Sequence, residues 1–99
     1  MGKLIEPEDD IFKRGEVGDW AFTEGETHIF LVLPLGGATP AENMAGLPIT
    51  GRCTHPGAGT KFATWDWDGN REAPTLSPSI LDVRTGWHGF FREGKIVPA

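Results

Sequence analysis

Fourteen glycines and eight prolines are scattered through a chain of 99 residues, and they leave no stretch in which a long helix can run. Proline fixes φ and removes a backbone donor, while glycine gives up the most conformational freedom on ordering, so each punctuates regular structure. Between these breaks the apolar residues fall in short runs rich in aromatic and β-branched side chains, with no 3.6-residue period beyond two turns. Trp occurs four times, Phe six times and Tyr not at all. Such runs read as strands. The expected fold is all-β, a small antiparallel β-sandwich or barrel with at most one short helix, in a single domain spanning residues 1–99. At this length folding buries roughly 65% of the unfolded surface, enough for a core without disulfides.

The clearest hairpin joins Gly18–Thr23 to His28–Leu33 through Glu24–Thr27, where Gly25 supplies the residue with positive φ. Its second arm is apolar on both faces, with Ile29, Leu31 and Leu33 on one and Phe30 and Val32 on the other, so both faces should be covered. The one helical turn is expected at Pro40–Ala45, with Thr39 as its cap and Gly46 after its end. Lys61–Asp68 alternates, placing Ala63, Trp65 and Trp67 opposite Phe62, Thr64, Asp66 and Asp68. Asp68-Gly69-Asn70 is a turn, and the prolines at 74 and 78 keep the following stretch extended and irregular. A second hairpin runs from Ile80–Arg84 through Thr85-Gly86 to Trp87–Arg92, and Glu93-Gly94 turns the chain into Lys95–Val97. Residues 1–15, with the run Glu8-Asp9-Asp10, read as a loosely packed, solvated arm that Ile11 and Phe12 can anchor.

Charge narrows the functional classes. Nine Lys and Arg against fourteen Asp and Glu leave −5, the wrong sign for a protein that neutralises duplex phosphates. Residues 1–50 hold three basic and nine acidic side chains, a net of −6, while residues 51–99 hold six and five, a net of +1. The second half also carries three of the four tryptophans, so a surface for an anion or a partner belongs there. A single Cys makes no intramolecular disulfide. No apolar run approaches the ~20 residues of a membrane span, and Met1–Glu8 lacks the apolar stretch of a secretory signal. The expectation is a cytoplasmic protein without a membrane role.

The segment from Trp65 to Ile80, with its Asp68-Gly69-Asn70 turn and Pro74-Thr75-Leu76-Ser77-Pro78-Ser79 stretch, followed by Gly86-Trp87-His88-Gly89-Phe90 through Ile96, resembles a family of small bacteriophage and prophage proteins. That family is catalogued as a domain of unknown function, and some members carry the label ammonia monooxygenase. The label does not suit this chain, which shows no membrane span and no copper-ligand set. Many members have short Cys clusters suggestive of zinc, whereas this sequence has only Cys53. The resemblance implies a phage origin and the cytoplasm of a bacterial host.

Individual residues suggest chemistry of several kinds. Cys53 and His55 alternate on one side of an extended segment and, with His28 and His88, are the only set from which a metal site could be drawn; no paired-ligand spacing accompanies them, and the expectation is no metal and no cofactor. A Cys53–His55 dyad lacks any marked oxyanion donors. Gly57-Ala58-Gly59-Thr60-Lys61 lacks the full phosphate-loop spacing. Asp66 and Asp68 read as the wet side of a strand. Trp65, Trp67, Trp87, Phe90 and Phe91 are core-filling, yet with Arg52, Arg71, Arg84 and Arg92 nearby one exposed ring would suffice to grip a partner.

The expected functional surface comprises Trp67, Asp68, Asn70, Arg71, Thr75, Ser77, Ser79, Trp87 and His88, assigned to ligand or partner binding and not to catalysis. Its polar groups cannot join a central ladder and must meet water, each other or a partner. Gly86 and Gly89 leave room for another chain to approach, and His88 can change charge near neutral pH. The alternative is that Asn70, Thr75 and Ser77 merely satisfy loop backbone. The function expected from these features is a non-catalytic phage accessory protein that binds a host protein, for example as an inhibitor of a host defence system. A nucleotide-signal sponge binding a small anionic ligand is the alternative, and a zinc protein or enzyme a weaker one. Exposed edge strands favour a homodimer.

Overall fold

The computed structural model describes residues 2–50 and 64–99. Its fold is all-β. The strands are β1 (Trp20–Phe22), β2 (His28–Val32), β3 (Met44–Pro48), β4 (Asp66–Trp67), β5 (Leu76–Ser77), β6 (Ile80–Leu81), β7 (His88–Arg92) and β8 (Lys95–Pro98). They form three antiparallel sheets, ordered β1-β2-β3, β4-β5 and β6-β7-β8. A single α-helical turn, α1, spans Ile11–Arg14. No helix among the described residues is long and apolar enough to cross a membrane.

Alternation along β2 determines how the layers stack. Ile29 and Leu31, with Leu33 just beyond the strand, join Trp20, Phe22, Leu47, Ile49, Leu76, Ile80 and Phe91 in the main core, which all three sheets share. Ala21 and Val32 face the other way and are buried with Ile5 and Ile11, with Phe30 and Met44 packed against them. Both faces of β2 are therefore covered, as its two-sided apolar pattern requires. The second cover is the N-terminal segment. Residues 1–15 were expected to be solvated because they are acidic, but Ile5 and Ile11 are fully buried, and Phe12 meets Phe30 edge-on at 5.1 Å between ring centroids. An apolar face left by β1 and β2 has to be covered, and these three side chains are the local means of covering it. Asp19, 1% exposed, fastens the segment: its carboxylate accepts from the Lys3 and Glu16 backbone N–H groups at 3.0 and 2.9 Å and from Lys3 Nζ at 3.2 Å.

The helical turn expected at Pro40–Ala45 is instead a single 3-10 turn, Ala41–Asn43. Thr39 caps it as expected, its Oγ1 accepting from the Glu42 N–H while Glu42 Oε1 accepts from the Thr39 N–H. Beyond Asn43 the strand wins: Met44 is already opposite Val32, and the β2–β3 register continues to His28 opposite Pro48. Five residues of ladder outweigh one further helical turn.

The tryptophans hold loops to the core. Trp20 is buried, and Trp65, Trp67 and Trp87 are partly buried against the same cluster. Three indole N–H groups donate to loop carbonyls, Trp20 to Arg71 at 3.0 Å, Trp65 to Ser79 at 3.3 Å and Trp67 to Asn70 at 3.1 Å. An indole that fills the core with its rings while its polar tip reaches a backbone acceptor suits such a boundary. Between β7 and β8, Glu93 (φ +51°) and Gly94 (φ +73°) make a tight two-residue turn with both residues left-handed.

Candidate functional site

The expected surface divides into two parts. The first, residues 67–75, is a loop that satisfies itself. Asp68 Oδ1 accepts from the N–H groups of Asn70 and Thr75 at 3.0 and 3.3 Å. Asn70 Oδ1 accepts from those of Glu72 and Ala73 at 3.0 and 3.1 Å. Thr75 Oγ1 accepts from the Glu93 N–H at 2.9 Å. These three side chains hold loop backbone, the service short polar residues give in turns. Trp67 packs against Phe22 with centroids 4.7 Å apart and ring planes tilted by 40°. Arg71 lies 4.7 Å over the same ring and ion-pairs with Glu26 at 2.6 Å and Glu6 at 3.0 Å. The hydrogen bond that its guanidinium donates to the Glu26 carboxylate is the main cause that raises its pKa above the ordinary arginine value. Ser77 is exposed on β5, opposite Asp66.

The second part is built on the β6–β7 hairpin. Ser79 immediately precedes β6, and its hydroxyl lies 2.9 Å from Nε2 of His88, the first residue of β7. The register explains the meeting. Ile80 pairs with Gly89 and Leu81 with His88, and Asp82 donates to the Trp87 carbonyl at 2.8 Å. Ile80 and Gly89 are buried on the inner face, so Ser79, Leu81 and His88 point outward by alternation. His88 is exposed and Ser79 half-buried. On the same outer face the Phe90 ring stands 6.2 Å from the imidazole, and the Arg92 guanidinium lies 4.1 Å over Phe90. The carbonyl of Ser79 is held by Trp65.

Trp87 does not present an open ring. It packs against the core and fills the space expected to admit a visitor: a Cβ on Gly89 would lie 2.6 Å from the Trp87 indole and 2.8 Å from the Val97 carbonyl oxygen. The glycine makes room for the chain's own tryptophan. The turn that aims the two arms is tied at Asp82, whose Oδ2 accepts from the Thr85 hydroxyl and N–H at 2.5 and 3.0 Å. The Thr85 hydroxyl chiefly holds the Asp82 carboxyl below its ordinary value of 3.8. Gly86, φ +81°, completes the turn.

Cys53, His55, Arg52 and the glycine-rich 57–61 stretch lie outside the described residues. His28 is on β2, its Nδ1 2.9 Å from Thr27 Oγ1, and His88 is in a different sheet. Among the described residues no three His, Cys, Asp or Glu side chains come together as a metal site. The spacing of Ser79 and His88 in the sequence gives no sign of catalysis, because their meeting depends on the β6–β7 register.

A Ser hydroxyl in hydrogen-bond contact with an imidazole is an arrangement for proton transfer from the hydroxyl, the first requirement of an acyl-transfer nucleophile. Comparison with known proteins bears on this pair. Residues 51–99, just under half of the chain, match the model of the family BubE, described as the bacterial ubiquitination-like system serine protease. The matched span contains both Ser79 and His88. No curated protein and no solved structure matches the chain. The resemblance to a small domain family thus narrows to one named for a bacterial system, and no phage connection accompanies the match. It also corrects the expectation of a non-catalytic accessory protein: the family that the second half of this chain resembles is named as a protease.

Proposed function

We propose that this protein is a serine protease-like hydrolase of a bacterial ubiquitination-like system, cleaving a polypeptide substrate with Ser79 as nucleophile and His88 as general base. The observation that carries the reading is the 2.9 Å contact between Ser79 Oγ and His88 Nε2. With the imidazole proton on Nδ1, the Ser79 hydroxyl donates to Nε2. As Oγ forms its bond to the scissile carbonyl carbon, that proton passes to Nε2. The imidazolium then protonates the leaving amine as the C–N bond breaks, which leaves an ester on Ser79. Water attacks the ester carbonyl, His88 takes the water proton, and the released Ser79 oxygen recovers it. No atom is left over, and neither metal nor external reductant is needed.

Ser79 and His88 are the pair that makes the step, Trp65 positions the Ser79 backbone, and Trp87 packed over Gly89 fixes the base of β7. The test is hydrolysis of a diverse peptide mixture by the full chain and by Ser79→Ala and His88→Ala variants, each with its melting temperature. Removing the nucleophile or its base should lower turnover by about 10⁴-fold or more, with melting unchanged for the exposed His88. Equal turnover in all three proteins would refute the assignment.

A further inference from the structure

The outer face of the β6-β7-β8 sheet continues directly from the Ser79–His88 pair, and its surface is apolar. Leu81, the register partner of His88, is 58% exposed; Val97, the partner of Phe90, is 39% exposed; Val83, in the adjoining turn, is 87% exposed. Three of the five large exposed apolar side chains among the described residues therefore sit on this sheet or its turn. Several exposed apolar side chains on one face beside a reacting pair mark a place where another chain lies. The far end of the face is cationic. Arg92 and Lys95 are register partners, and neither has a carboxylate within ion-pair distance among the described residues. Stacking on Phe90 holds the Arg92 guanidinium against the sheet. Exposed Glu93 lies in the turn between them, so this end of the face carries a net of +1 in a protein of net charge −5.

We infer that this face is the substrate-docking surface and that its occupant is an extended substrate segment with an apolar side chain beside the scissile bond and an acidic residue three or four positions away. The inference rests on the Ser79–His88 reading. The spacing comes from the strand itself: His88 to Arg92 is four residues, about 13 Å at ~3.3 Å each, and an extended peptide covers that distance with the same number of residues. Leu81, Phe90 and Val97 form the floor between the two ends. Apolar contact near the cut supplies selectivity, and opposite charge at the far end fixes direction and register.

The experiment digests a diverse mixture of long synthetic peptides with the full chain and reads the cleavage sites by mass spectrometry. In parallel, wild-type protein is treated with a fluorophosphonate probe that reports Ser79 without needing the docking face. Expected is an apolar residue at the cut, an acidic residue three or four positions distant, and a preference of about tenfold over the basic counterpart. Arg92→Glu should reverse the charge preference, Lys95→Glu should do so in part, and Leu81→Ser should flatten the apolar one. Each is read as a ratio between peptides, so a general loss of activity cancels. Unchanged preferences in these variants would overturn the docking surface and leave the dyad standing; labelling of Ser79 without peptide cleavage would overturn the docking surface and the polypeptide substrate together, leaving only an activated serine. A Leu81→Ser change that dissociates a dimer in sedimentation would overturn it too, giving the face to a second copy. No labelling of Ser79 would remove the dyad and the docking surface together.

Discussion

Replacing Gly89 by alanine probes how the core geometry delivers His88 to Ser79. The added Cβ would meet the Trp87 ring at 2.6 and 2.7 Å and the Val97 carbonyl oxygen at 2.8 Å. Each is closer than side-chain carbons tolerate, and the two obstacles differ in kind. The indole is a side chain and can swing; the Val97 carbonyl is backbone of β8 and moves only if the β7–β8 ladder moves. Overpacking a formed core costs about 1–3 kcal/mol, and because backbone is one of the obstacles the upper half of that range, about 2–3 kcal/mol, is expected. For a domain of this size that lowers the melting temperature by roughly 8–24 °C. Denaturant unfolding of four proteins measures it: parent, Gly89→Ala, Trp87→Leu and the double variant. In the Trp87→Leu background the alanine should cost about 1 kcal/mol less than in the parent, because the ring share of the clash is gone while the Val97 share stays. A Gly89→Ala variant within about 0.5 kcal/mol of the parent, the range of ordinary surface changes, would refute the reasoning. Equal costs in both backgrounds would show that the Trp87 ring does not lie over Gly89.

Three other perturbations follow from the same structure. Asp19→Asn keeps the shape but removes the charge from a buried acceptor of three donors; urea unfolding should show a loss of about 1–3 kcal/mol. Trp65→Phe removes the donor to the Ser79 carbonyl and should cost about 1 kcal/mol, with turnover per folded molecule falling further than melting accounts for. Asp82 titrates below its ordinary value because the folded turn favours the charged form, so its contribution to turn stability is complete above the unfolded carboxyl range and is lost as pH falls through the depressed folded value. Carboxyl NMR should place its midpoint below 3.8, and Thr85→Val should return it toward that value; an unmoved midpoint would show that the Thr85 hydroxyl is not the cause.

The sequence was informative where a local pattern has one physical solution. The two-sided apolar alternation of Ile29 to Leu33 requires a strand covered on both faces, and β2 is such a strand. Glu93-Gly94 allows both residues the left-handed region and marks the last hairpin. What was not legible depended on long-range register. Reading Thr85-Gly86 as a two-residue turn places Arg84 opposite Trp87, which carries His88 away from Ser79. The chain closes instead between Asp82 and Trp87, because the Asp82 carboxylate finds two donors on Thr85, and the two-residue shift brings Ser79 diagonally against the imidazole. The acid run at Glu8–Asp10 likewise concealed the burial of Ile5 and Ile11, since composition averages over residues while a core selects them singly. Arg71 was singled out as a binding cation, yet its carboxylate partners come from Glu6 and Glu26, far away in the sequence.

The central claim is that Ser79 is a nucleophile activated by His88, and the location of a covalent adduct tests it most directly. Full-length protein treated with a fluorophosphonate at neutral pH, digested and mapped by mass spectrometry, should carry one phosphonyl group on the peptide containing Ser79, fragmented to that residue, and His88→Ala should abolish the adduct while retaining the fold. An adduct on Ser77, two residues away and opposite Asp66, or equal labelling of the His88→Ala protein, would contradict the account.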